Sequence, residues 1–136
     1  MPSASEETLA NRANVRKVLG EIVAEKGGWT KAACMYFNPT SIETIRTGEV
    51  QPVCIVGHLI KRLEPETFAV MVEGGYASDR VNELRSAGVT LKFIGKDRRL
   101  MEAVTELQDV QDSGYSWDDA LREFDSTIGP LPVGGA

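Results

Sequence analysis

Apolar residues near the start of the chain recur at three- and four-residue intervals: Val15, Val18, Leu19, Ile22 and Val23. That spacing lines one stripe of an amphipathic helix. Ser3 and Glu6 stand at capping-box spacing before it, and Gly27-Gly28 stops it where the chain must leave the helical conformation. The pattern then changes. Ala33-Cys34-Met35-Tyr36-Phe37 is a short apolar run, Asn38-Pro39-Thr40-Ser41 is a turn signal, and 41–47 is rich in β-branched residues before Gly48. These features predict a small β-hairpin within 29–50.

Pro52 suits the first turn of a helix, and 53–63 is apolar on nearly all sides, as for a central buried helix. A buried strand over 53–57 has the same pattern. Pro65 starts a further helix to about 73, ended by Gly74-Gly75. A short polar helix over 78–87 turns Val81 and Leu84 inward. Val89-Thr90-Leu91-Lys92-Phe93-Ile94, flanked by Gly88 and Gly95, alternates like a strand. Asp97 caps a long helix carrying Leu100, Val104, Leu107 and Val110. Ser116 caps the last one, whose inward stripe is Trp117, Ala120, Leu121, Phe124 and Ile128. The expected class is α+β, mostly α: five to six short helices around the 53–63 helix, with a small β-hairpin. Residues 1–128 form one globular domain and 129–136 a flexible C-terminal tail.

Charge adds one asymmetry. The chain has 136 residues and a net charge of −5. Residues 1–96 hold 12 basic and 11 acidic side chains, whereas 97–136 hold 3 and 9. With no uniform basic face, duplex nucleic acid is disfavoured as a partner. The N-terminus lacks the order of a secretion signal, and no apolar run is long enough for a membrane span. Two cysteines make no disulfide framework, so the expected setting is a reducing cytosol. Within the 97–113 helix one local rule is broken. Arg98 and Arg99 sit at the positive end of the dipole, while Asp109 and Asp112 sit near the negative end. Either neighbouring elements pair these charges, or the surface faces a partner.

Candidate chemistry concentrates between Gly27 and Leu63, which holds both cysteines and the only histidine. Cys54 and His58 are four apart, within reach of each other on a helix, and an imidazole can raise a thiol's thiolate fraction. Their neighbours Val53, Ile55, Val56, Leu59 and Ile60 predict burial instead, where a thiol is packing. Cys34, Cys54 and His58 could supply three metal ligands, but the cysteines lie 20 apart in the chain, unlike the short spacings of zinc sites. Trp29, Tyr36 and Phe37 could stack nucleobases, though a tryptophan just past a helix stop more commonly plugs a core. No phosphate-binding glycine motif occurs. No cofactor and no metal are expected.

With Gly28-Trp29-Thr30, Val53-Cys54-Ile55-Val56-Gly57-His58-Leu59 and a late acidic helix pair in view, the chain resembles a family of short uncharacterised proteins of actinobacteria and their phages. That family shows Gly-Trp before a hairpin-like segment, then Cys-Leu-x-Gly-Ala-Leu, and later Trp-Asn-Asp before a final short helix. Cys54, Gly57 and Leu59 match the central motif; His58 replaces its alanine, and Leu107-Gln108-Asp109 stands where Trp-Asn-Asp would. The resemblance spans about residues 10–126. It implies a small, mostly helical cytosolic domain and carries over neither an activity nor functional residues. The expectation is a non-enzymatic accessory protein, phage-encoded, that binds a host protein through the exposed faces of 97–126, including Arg98, Arg99, Asp112 and Asp119. A homo-oligomer stays open. The alternative is a small enzyme or ligand-binding protein at Cys54 and His58.

Overall fold

The computed structural model describes residues 5–26, 50, 52, 54–75 and 81–131. Among them the chain forms six helices: α1 (Glu6–Lys26), α2 (Ile55–Leu63), α3 (Pro65–Gly74), α4 (Val81–Leu84), α5 (Arg98–Asp112) and α6 (Trp117–Ile128). No strand occurs among the described residues, so the expected α+β class is corrected to all-helical there. The hairpin expected within 29–50 lies outside the described residues, and the strand expected at 89–94 is a turn.

That turn shows why alternation misleads. Val89, Leu91, Phe93 and Ile94 are buried while Thr90 and Lys92 are exposed, the period of a strand. Yet the backbone bonds to side chains of α1 and of the α2–α3 junction, not to a second strand. The Phe93 amide donates to Glu64 Oε2 at 2.8 Å, and its carbonyl accepts from Asn11 Nδ2 at 2.6 Å. The Ile94 and Gly95 amides fold back onto the Leu91 carbonyl. Gly95, at φ 55°, carries the left-handed step that lets the chain reach α5.

Most helix boundaries follow local chemistry. Ser5 caps α1, its hydroxyl accepting the Thr8 amide at 3.1 Å; the expected Ser3 cap lies outside the described residues. Asp97 accepts the Leu100 amide and Ser116 the Asp119 amide, as expected for α5 and α6. Gly75, at φ 74°, closes α3 in the left-handed conformation. One start differs from the expectation: α2 begins at Ile55, not beside Pro52, because Cys54 is its cap and its Sγ accepts the Gly57 amide at 3.2 Å.

The core is a single cluster. Val15, Leu19 and Ile22 of α1 meet Ile55, Leu59 and Ile60 of α2, with Leu100, Val104 and Leu107 of α5 and Trp117 and Phe124 of α6. α5 and α6 form the tightest pair, joined by the short turn 113–116, and α1 packs on α2 and α6. Leu131, beyond α6, also packs on this core, so the first residues of the expected tail are not free of the domain.

Two buried glutamines of α5 hold the ends of other helices. Gln111 Oε1 accepts the Ile55 amide at 3.2 Å, and Gln108 Oε1 accepts the Val81 amide at 3.0 Å. Each satisfies a first-turn amide that has no intrahelical acceptor. Glu64, between α2 and α3, is buried as well and also accepts from the Thr67 hydroxyl.

Candidate functional site

The expected chemical pair, Cys54 and His58, lies at the start of α2. The thiol is 1% exposed and engaged with the Gly57 amide. His58 is half-buried, its ring edge-on to Trp117 with centroids 5.8 Å apart. Such a thiol is packed and capped, not open to a substrate. Cys34, Trp29, Tyr36 and Phe37 lie outside the described residues. Among the described residues, no three histidine, cysteine or carboxylate side chains converge as metal ligands.

The four residues expected to face a partner separate into two places. Arg98 and Arg99 open α5, whereas Asp112 closes it, about 21 Å away at the helical rise. Asp119 lies at that far end too, beyond the α5–α6 turn, and is ion-paired with Arg122. Asp112 Oδ1 accepts from Gln111 Nε2 at 3.4 Å. The acidic members thus sit in local pairs, away from the arginines.

Around Arg98 and Arg99 the fold makes an open groove of about 980 Å³. One wall is the first turns of α1, with Glu7, Thr8, Asn11 and Arg12. The other is the 92–97 turn and the start of α5, with Lys92, Phe93, Ile94, Lys96, Asp97, Arg98 and Arg99. A smaller recess of about 380 Å³ adjoins it, sharing Lys96 and Arg98 and adding Arg85, Gly95 and Met101. In a chain of net charge −5, this is a local concentration of cations.

The groove's floor is rigidly tied. Arg12 Nε and Nη2 grip Asp97 Oδ2 and Oδ1 at 2.7 and 2.9 Å, a bidentate pair whose side chains are 13% and 12% exposed. Burial alone would push the Asp97 carboxyl up. The hydrogen bond from Arg12, the Leu100 amide and the Arg12 charge outweigh it and hold the group below its ordinary value. The same hydrogen bond raises Arg12. Asn11 holds the Phe93 carbonyl, and Arg85 Nη2 donates to the Gly95 carbonyl at 2.9 Å. Side chains of α1 and the 85–88 turn therefore fix the loop that carries the cations.

The rim differs. Lys92, Lys96, Arg98 and Arg99 are exposed, and none is ion-paired among the described residues. Among the described residues, no neighbouring element forms an ion pair with the two arginines at the positive end of α5. Lys92, Lys96 and Arg85 were not singled out from the sequence. A charge tally divided at residue 96 cuts through the dense run Lys92 to Arg99 and hides it. Arg12 joins only through the fold, from 85 residues away. Among the described residues, the large exposed apolar side chains are Val70 and Tyr115.

No protein-family model, curated protein or solved structure matches the chain.

Proposed function

We propose that the protein is a binding module rather than an enzyme, and that it engages a partner protein through the cationic groove between α1 and the start of α5. The carrying observation is the set of four exposed cations with no ion pair among the described residues, Lys92 and Lys96 on a turn pinned by Asn11 and Arg12, and Arg98 and Arg99 at the start of α5. Placing Arg98 and Arg99 at the helix's positive end costs each a few tenths of a kcal/mol. No ion pair among the described residues offsets that cost, and a negatively charged partner would. Preorganisation helps as well, since binding need not order the loop.

The same magnitudes set the kind of binding. Exposed ion pairs contribute about 0.2–1 kcal/mol each and are screened by salt. Such a rim speeds encounter and selects charge more than it tightens the complex. Complex formation is therefore fast and salt-sensitive. The cytosolic, phage or actinobacterial setting implied by the resemblance makes an actinobacterial cytosol the extract to use.

The test is capture from that extract by the tagged chain and by its K92E/K96E/R98E/R99E variant, read by mass spectrometry. The reading expects one or a few proteins enriched by the native chain and lost by a folded variant. Equal capture by both would remove the groove from the function.

A further inference from the structure

The cations account for attraction but not for residence. Association costs at least about 4 kcal/mol in lost freedom, and a few exposed ion pairs do not return that much. A stable occupant must also bury apolar surface. Phe93 and Ile94 in the larger arm are already buried, but Met101, only partly buried, lines the smaller one and offers that surface. Lys96 and Arg98 belong to both arms, so the two make one bent track.

Resting on the binding reading above, we infer that the occupant is an extended acidic peptide segment of the partner. It crosses Lys96 and Arg98 and sets an apolar side chain against Met101. Its carboxylates face Lys92 and Arg99 in the larger arm and Arg85 in the smaller. Methionine suits the apolar contact because its flexible thioether adapts to differently shaped side chains.

Nucleic acid fits less well. Base stacking needs an open aromatic face, and the one ring among the described residues that line the track, Phe93, is 8% exposed. A single small anion leaves most of a track this size unfilled.

Fluorescence anisotropy on the full chain separates these classes. The probes are a labelled ten-residue glutamate peptide with one central leucine, the same peptide with glutamate in its place, a labelled ten-nucleotide oligothymidylate, and inorganic phosphate as competitor. The leucine peptide should bind tightest, several-fold better than the all-glutamate peptide. K96E/R98E should abolish binding, and R85E or K92E should weaken it roughly 2- to 5-fold each. M101A should remove the leucine advantage while leaving the all-glutamate affinity in place, and circular dichroism checks that each variant folds. An oligonucleotide that binds as well as the leucine peptide, phosphate that displaces it at equal charge, or an absent leucine advantage overturns the peptide assignment and leaves the groove standing. If no anionic probe binds, both readings fall.

Discussion

At the scale of single residues, the positions that hold the groove are also those that stabilise the domain. Asp97 caps α5 and takes both prongs of Arg12. Its carboxyl titrates lower in the folded chain than in the unfolded one. Between the two values the unfolded state binds more protons, so stability rises with pH across that window. The contribution is complete above the ordinary aspartate value near 4 and is lost as pH falls through the lowered folded value. Asp97→Asn keeps an oxygen for the cap but removes the charge pair. It should cost about 2 kcal/mol at neutral pH, where Arg12 is left half-satisfied and largely buried. Urea titrations from pH 7 down to pH 2 should show native and variant stabilities converging; no gap at pH 7 would mean the pair contributes nothing, and a gap constant with pH would mean its charge does not carry the difference. Thr105 makes the opposite case. It is 8% exposed and its hydroxyl has no hydrogen-bond partner among the described residues. Thr105→Val, similar in shape and helix propensity, should therefore stabilise by about 1 kcal/mol in the same assay. The caps at Asp97 and Ser116 were legible in the sequence because a cap is read from its neighbours. Gln108 and Gln111 were not, since each serves an amide 27 or 56 positions away.

At the scale of elements, periodic helices were legible and non-local backbone partners were not. The stripes of α1, α5 and α6 emerged as spaced, with Val18, Val110 and Leu121 at their half-buried edges. The 89–94 segment kept its alternation but found hydrogen-bond partners in Glu64 and Asn11 instead of a strand. Burial fixes which side chains point inward, and two helices then decide what the backbone does. The helix at 53–63 shortened to Ile55–Leu63 because a cysteine serves as the cap, a role sequence statistics seldom give it. Within α1, Gly20 looks like a weak point that alanine would strengthen by about 1 kcal/mol. A Cβ there would meet Arg16 Nη1 at 2.9 Å, and Arg16 is locked to Asp125 of α6 at 2.6 and 3.1 Å. Gly20→Ala alone should thus gain less than about half that propensity term, and in an Arg16→Ala background it should gain nearly all of it. Equal gains in both backgrounds, read from chemical denaturation midpoints, would show that the glycine is not making room for the arginine.

For the whole molecule, the decisive feature is how charge is distributed along α5. Cations gather at its start, with Lys92 and Lys96 on a turn fastened to α1 and Arg98 and Arg99 in its first turn, while carboxylates gather around its end in local pairs. The sequence showed Arg98 and Arg99 as a local conflict; only the fold reveals that, among the described residues, no neighbouring element forms an ion pair with them. The same fold encloses Cys54, so that thiol is packed. A site read from residue chemistry alone favours the cysteine and histidine, whereas one read from uncompensated charge favours the groove. The most direct discrimination is a two-dimensional amide NMR titration of the uniformly labelled chain with a glutamate-rich decapeptide at low ionic strength. The account predicts shifts confined to residues 7–12, 85 and 92–101, saturating with peptide and reversed by salt. Shifts centred on Cys54 and His58, or none at the 92–101 amides, would contradict it.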